Sequence, residues 1–510
     1  MIQAALLAAG SALLGGAIAL LAYRHPAVLE RTRTFAFAAA AGVVAFHLLP
    51  EVLPEQGLLA LLWMAAGFAL PWALEAGARA FGPNLLKGRG LSGLRVAAEV
   101  GFAALIFHSV AEGLALVAAL ARPRGNLDLE IALVAHHAPL TAAVVLPFLD
   151  LRGGRAALLR AAIVGAAGAA GALLSGAVPG FSEGAFLQSA TAATAGALLH
   201  VVSDEIRAQR FGSRVERALD LGACAAGLLV AGLGAVLHLR EERTAPMLEF
   251  LRALSGIALA SAPALLCGLV AGALLASRTR FFRWDAFLLA LVLLGPAAGM
   301  AWALFTVAVA LPAIRSRAAP PQRTGLASLS NAVRTRAPRL LLLLIAAAGL
   351  QVSARSLPDH PLSFAILLLI VGLGARLDEA GGVMLAAVLV GKGLDPGLTV
   401  AFLAVGAATR GRLIRGIFDG RRPRAIALLA GCVAAVAAGK LLATAGALAT
   451  SQAAAAGVLR DAVSAVPEQV AASPLRAAAA AVLVLLALAT LWSEGVRGWF
   501  APLRHGPGAV

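Results

Sequence analysis

Cysteine is nearly absent: Cys224, Cys267 and Cys432 are the whole complement, scattered through apolar segments with no CxxC pair. Neither a disulfide framework nor a zinc knuckle is indicated, and the redox compartment is left open. Charge is thin as well, at 13% of residues, and no stretch reads as a soluble domain. There is no nucleotide-binding glycine loop, so energy for any transport would come from ion gradients. No HExxH motif occurs either, which removes the commonest signature of a hydrolytic zinc site. Lysine appears three times, against abundant arginine and alanine, a composition that suggests a GC-rich bacterial genome.

What the chain has instead is hydrocarbon. Of its 510 residues 60% are hydrophobic, the mean hydropathy is +0.88, and apolar runs of about 20 residues, the length that crosses a bilayer core, recur along it. This predicts an all-α, polytopic transmembrane protein in the lipid bilayer of a bacterial inner (cytoplasmic) membrane, since outer-membrane proteins are barrels. The 42 Lys and Arg against 26 Asp and Glu give a net charge of +16. The basic residues sit in short stretches between apolar runs, where they read as topology signals and not as a nucleic-acid surface.

The first apolar run, Ile2 to Leu21, is followed and not preceded by its basic residues, Arg24, Arg31 and Arg33. That order predicts a retained helix with its N-terminus outside. Further spans are expected near 34–53, 57–78, 96–121, 130–150, 156–178, 184–204 and 218–238, about eight in all. Three basic groups fall after every second helix: Arg79, Lys87, Arg89 and Arg95; then Arg152, Arg155 and Arg160; then Arg207, Arg210, Arg214 and Arg217. With the basic-free loop around Gly180, they place both ends of this half outside, with Arg122 and Arg124 against the pattern.

A pause near "HLREERTAPMLEF" marks a domain boundary, giving domains 1–240 and 241–510. Beyond it, apolar stretches are broken by Gly and Pro in "LLGPAAGMAW" and "VGKGLDPGLTV", and a basic loop over 315–339 separates two hydrophobic groups. Broken helices at membrane depth are tolerated where they face protein or a water-filled cavity, so paired interruptions point to a transport-like core.

Ionisable side chains inside the first half carry the chemistry. An ionisable residue at a span centre costs roughly 2.5–3.5 kcal/mol on insertion scales, so each must turn inward and find a partner. In "FHSVAEGLAL" His108 and Glu112 stand one helical turn apart on one face. A neutral imidazole nitrogen and a carboxylate oxygen there can share a divalent cation, or simply hydrogen-bond to each other. "AFHLLPEVLPE" sets His47 and Glu51 at the same spacing, "VAHHAPLTAA" adds His136 and His137 before Pro139, and "LHVVSDEI" adds His200, Asp204 and Glu205. These motifs thus hold five of the nine histidines. A packing hydrogen bond would equally explain His137 or His200, and an interfacial salt bridge to the following arginines would explain Asp204 or Glu205.

"FHLLPE", "HSVAEGLAL", the His-rich fifth segment and "AGALLHVVSDEI" resemble helices of the ZIP (Zrt/Irt-like) divalent metal transporters, over residues 1–240 and about eight helices. The resemblance implies a central site between the fourth and fifth helices, often binuclear in that family. Its primary ligands here would be His108, Glu112 and His136, with Ser109 and His137 in secondary positions and His47 and Glu51 on the route in or out. Leu140 stands where the family has a further ligand, and Ser109 where a stronger donor is common. One metal, completed by water or His137, is therefore implied. Zn²⁺ or a similar divalent cation would be cargo and no cofactor would be tightly bound. A homodimer is a candidate assembly, and no nucleic-acid partner is implied.

Residues 250–500 resemble more weakly the predicted-permease family that includes organoarsenical and copper/zinc efflux permeases, in "SAPALLCGLVAGALLASR", "LLGPAAGMAWALF" and "GGVMLAAVLVGKGLDPGLTVAFLAVGAATRGRL". Two related hairpins about the basic loop would fit an internal inverted repeat. Most of that family's polar groups are missing: Cys267 alone remains of paired cysteines, and Ala297 or Ala298 replaces an acid. Arg376, Asp378 and Glu379 read either as a cavity lining or as a solvated turn. Lys392 reads as an interfacial anchor, and Lys440 has no evident partner.

Three function classes follow. The first is a secondary carrier of divalent metal, and no enzyme. The second is a degenerate metal-binding or sensing membrane protein, favoured by Leu140 and the depleted second half. The third is an intramembrane zinc hydrolase assembled from His47, His108, His136 and Asp204.

Overall fold

The computed structural model describes residues 2–45, 52, 56, 58–81, 93–120, 127–174, 185–204, 213–238, 244–275, 283–314, 326–353, 361–408, 422–446, 448–464 and 473–503. Among the described residues there is no strand, and the elements are helices throughout. Hydrocarbon offers no partner to a bare N–H or C=O, and a helix satisfies its own. Among the described residues five helical stretches are long and apolar enough to cross a bilayer: Ile2–Tyr23, Gly154–Leu174, Leu248–Leu275, Leu329–Val352 and Pro474–Val496. The chain is an all-α, multi-pass membrane protein. It divides into two compact units, Met1–Leu248 with Glu494–Gly498, and Glu249–Ser493 with Trp499–Val510.

The described helices of the first unit are α1 (Ile2–Tyr23), α2 (Pro26–Val43), α3 (Leu58–Phe81), α4 (Gly93–Leu120), α5 (Leu127–Arg152), α6 (Gly154–Leu174), α7 (Ala185–Asp204) and α8 (Arg214–His238). Of these, α1 and α6 are long and apolar enough to span a bilayer. Helix α1 packs on α5 and α6, α4 on α6 and α7, α3 on α7, and α2 on α5 and α8.

The inward faces are made of small residues. Ala4, Ala8, Ser11, Ala12, Gly15, Ala19 and Ala22 form the buried stripe of α1, and Ala157, Ala161, Val164, Gly165, Gly168, Gly171 and Ala172 that of α6. Leu6, Leu21, Leu159 and Leu173 point outward and are exposed. Lipid is as apolar as leucine, so burying large side chains gains little; small ones let the backbones close up. At Gly171 an added Cβ would run into the Val110 carbonyl of α4.

Arg160, grouped above with the loop arginines, lies well inside α6. Its guanidinium sits 3.9 Å from the Phe148 ring centroid and donates to Glu99 at 2.9 Å. An aromatic face and a carboxylate together replace water around the charge. The short stretch Glu494–Gly498 that belongs to this unit is held by Val496, whose amide donates to Asp220 at 3.1 Å; Asp220 also accepts from Thr34.

The second unit contains α9 (Thr244–Leu275) from Glu249 on, α10 (Trp284–Leu293), α11 (Pro296–Ile314), α12 (Leu326–Ser353), α13 (Pro361–Leu377), α14 (Glu379–Gly391), α15 (Pro396–Ala408), α16 (Arg422–Thr444), α17 (Ala449–Ser464) and α18 (Pro474–Phe500) apart from Glu494–Gly498, closed by a 3₁₀ turn, Ala501–Leu503. The stretch expected as a basic loop over 315–339 is helical from Leu326 onward. Two of its arginines are anchored: Arg336 donates to Asp285 at 3.0 Å and Arg339 to the Pro502 carbonyl at 2.7 Å.

Both expected interruptions are present. Gly295 (φ 87°) separates α10 from α11, and Gly393 (φ 107°) separates α14 from α15. Only glycine enters that left-handed region without strain, and a proline, Pro296 or Pro396, then opens each following helix.

The direction of the two broken pairs differs from an inverted repeat. Arg283 at the head of α10 bonds Asp378 at the head of α14. At the other ends, Gly295 faces Ala454 and Gly391 faces Ala456 of the same helix, α17. The short helices α10 and α14 therefore run side by side in the same sense. Helix α14 is buried on every side from Glu379 to Val390, the mark of a central helix.

Gly171→Ala is expected to destabilise the first unit by about 1–3 kcal/mol through overpacking against α4. Gly222→Ala, where an added Cβ meets nothing within 4 Å, should leave stability unchanged or slightly raised. Thermal unfolding of both variants in lipid nanodiscs checks the contrast.

Candidate functional site

In the first unit Ser11, Ser109 and His137 meet where α1, α4 and α5 come together. His137 on α5 is 1% exposed, and both ring nitrogens are engaged. Nδ1 lies 2.6 Å from Ser11 Oγ on α1 and Nε2 lies 3.0 Å from Ser109 Oγ on α4. Each serine also donates within its own helix, Ser11 to the Ala8 carbonyl at 3.0 Å and Ser109 to the Leu105 carbonyl at 2.8 Å. A hydroxyl has one hydrogen and a neutral imidazole one N–H. With the ring neutral, one serine accepts from the ring while the other turns its hydrogen from its carbonyl to the ring. The approach of α1 to α5 that permits this rests on Gly15, where a Cβ would overlap the Ala138 carbonyl.

His108 precedes Ser109 on α4 and is buried. Glu112 lies within the same uninterrupted helix, one turn on, and His136 lies within α5 beside His137; the side chains of these two are outside the described residues, as are His47, Glu51 and Glu205 altogether. Among the described residues no three His, Cys, Asp or Glu stand close enough to hold a metal ion. What the structure brings together of the expected set is Ser109 with His137, and it adds Ser11, which the sequence hid as one hydroxyl in an alanine-rich helix. Leu140 is fully buried. His200 on α7 packs edge-on against Phe68, ring centroids 5.3 Å apart.

The second unit holds a buried ion network. Arg283 donates Nε and Nη2 to the two oxygens of Asp285, at 3.0 and 2.9 Å, and Nη2 also reaches Asp378 at 3.2 Å. Arg336 of α12 closes on the same Asp285 oxygen. Asp378, extended between α13 and α14, caps α14 by accepting from the amides of Ala380 and Gly381. Burial works against the Arg283 charge, but the Asp285 and Asp378 carboxylates outweigh it and raise its pKa well above the ordinary value.

Asp378 and Glu379 are thus buried, so the solvated-turn reading of this stretch does not hold. The signal that could have found the network is a repeated Arg-x-Asp, Arg283-Trp284-Asp285 and Arg376-Leu377-Asp378, each at the start of a short apolar helix. Cys267 is exposed on α9 and Lys440 exposed on α16.

Set beside known proteins, the chain matches no family model, no curated protein and no solved structure.

Arg283→Ala would leave the Asp285 and Asp378 carboxylates buried with their main counter-charge gone, a loss expected to cost about 3–5 kcal/mol. The joint replacement of Arg283 and Asp285 by Met and Leu should cost markedly less. Denaturation midpoints of the purified variants measure the difference.

Proposed function

We propose that the protein is a secondary transporter of divalent metal ions, zinc foremost, and that its first unit is an eight-span, ZIP-like bundle that moves the ion across a bacterial inner membrane by alternating access. The observation that supports this best is the joint burial of His108, Ser109 and His137 where α4 and α5 meet, with Ser109 bonded to His137. Imidazoles are expensive in hydrocarbon unless a partner or a cation offsets their desolvation. Glu112 and His136 stand at neighbouring positions of the same two helices and would complete one three-ligand site with His108. His137 is tied to two serines and Leu140 is buried where a further ligand would stand. Both favour a single ion over a binuclear centre.

Imidazole nitrogen and carboxylate oxygen suit Zn²⁺ and its borderline neighbours. Release as well as capture is needed, and a site with one carboxylate and no thiolate keeps affinity moderate. A sensing protein that binds without moving the ion is the second reading, favoured by the same occupied His137.

Proteoliposomes enclosing a zinc-responsive dye separate these. Wild-type protein is expected to give saturable zinc flux, and His108→Ala or Glu112→Gln should lower its initial rate by at least about tenfold. Zinc binding without flux would identify a sensor, and absence of both would overturn the metal assignment.

A further inference from the structure

Helices α1 and α6 of the first unit run antiparallel. Gly168 packs on Ala8, Gly165 on Ala9 and Gly16 on Ala161, and Gly154 lies 3.0 Å from the Leu20 side chain, as judged from where its Cβ would be. The span Ile2–Tyr23 therefore ends at the corner where the span Gly154–Leu174 begins, which sets that corner at the level of the lipid headgroups. Tyr23 is exposed there, at the depth where an aromatic ring with a polar tip is favoured. Arg24 and Arg155 each come one residue after these two span ends, and both are exposed. Gly153 leads into α6, and a Cβ added to it would meet nothing within 4 Å. The corner is open.

Its charge does not balance. Among the described side chains toward this end of α1, α2, α4, α5 and α6, the guanidinium groups are Arg24, Arg31, Arg33, Arg152, Arg155 and Arg160, against the carboxylates Glu30, Glu99 and Asp150. The carboxylates are already engaged: Arg33 meets Glu30 at 3.1 Å and Asp150 at 2.6 Å, and Arg152 and Arg160 share one oxygen of Glu99 at 2.9 Å each. Arg24 and Arg155 have no ion pair among the described residues. Backbone dipoles leave this unchanged, because the carbonyl ends of α1 and α5 arrive at the same corner as the amide heads of α2 and α6. The Ala22 and Leu149 carbonyls there accept from the His25 and Gly153 amides, each at 3.1 Å. The excess is positive and belongs to the guanidinium groups.

On the span side of Arg24 and Arg155, the side chains of Leu21, Leu158 and Leu159 are exposed. We infer that this corner binds an anionic phospholipid, with Arg24 and Arg155 holding its phosphate and an acyl chain lying along Leu21, Leu158 and Leu159. Guanidinium groups meet phosphate oxygens through paired N–H donors, and arginines clustered at the end of a membrane span are where anionic headgroups are held. A soluble phosphate would find the same donors but leave the leucines bare, so charge and apolar surface together select a lipid. The α8 end differs, since Arg214 and Arg217 there have Glu216 and Asp220 within the same two turns. The site lies wholly in the first unit and does not depend on what that unit carries.

Native mass spectrometry of the full-length protein in detergent, titrated with phosphatidylglycerol and with phosphatidylcholine of identical chains, tests it. Phosphatidylglycerol is expected to bind about tenfold more tightly. The joint variant Arg24→Gln, Arg155→Gln should abolish that preference, the joint variant Arg24→Lys, Arg155→Lys should keep a several-fold preference, and Arg214→Gln should leave it unchanged. Circular dichroism and monodispersity of the double glutamine variant check that the fold is kept. Glycerol 1-phosphate, added at the concentration that saturates with phosphatidylglycerol, should not displace the lipid; displacement would point to a soluble phosphate and overturn the assignment. So would equal affinity of the wild type for the two lipids, or a preference that survives in the double glutamine variant.

Discussion

Everything in this molecule depends on how closely helix backbones approach when no water remains to be excluded. With lipid outside, a buried leucine gains little over an exposed one, and attraction between helices comes from dispersion across well-matched surfaces and from a few polar contacts. The chain responds by turning the usual arrangement inside out. Alanine and glycine fill the interfaces of α1, α4 and α6, and leucine and valine face outward along α1, α6 and α18. Such interfaces are short-range, so small changes of volume are felt at once.

Polar groups follow from the same scarcity of water. Three of those described are enclosed by partners that replace hydration: His137 by two hydroxyls, Arg160 by a phenyl face and a carboxylate, Arg283 by two aspartates. In the first unit the contacts of His137 are neutral hydrogen bonds between helices, which can be remade with little change of charge, beside charged pairs such as Arg160 with Glu99. The second pins the heads of α10 and α14 with a charged network that cannot be opened piecemeal without stranding a carboxylate.

Legibility in the sequence followed the physics that each feature depends on. The all-helical class was readable because apolar run length is a direct consequence of bilayer thickness. The breaks at Gly295 and Gly393 were readable because a glycine beside a proline-led helix start is a local signal. Helix α12 was not, since arginines and Pro338 in a row look like a loop until Asp285 and Pro502 appear as partners from distant segments. Arg160 escaped for the same reason: the residues that make it tolerable, Glu99 and Phe148, are remote in the chain. The relative direction of α10 and α14 lies beyond pattern altogether, because a repeat reads alike whichever way its copies are laid down. At the histidine cluster, the pairing of Ser109 with His137 was within reach of the motif, whereas Ser11 carried no mark beyond being polar.

The double tether on His137 has a mechanical corollary. A lone pair on that ring can be offered to a newcomer only if one of the hydroxyls lets go, and the Nδ1 side is held by α1 while the Nε2 side is held by α4. Whichever nitrogen is surrendered decides which helix is released, so the ring works as a two-way latch. Its chemistry and the mobility of its neighbours are one degree of freedom.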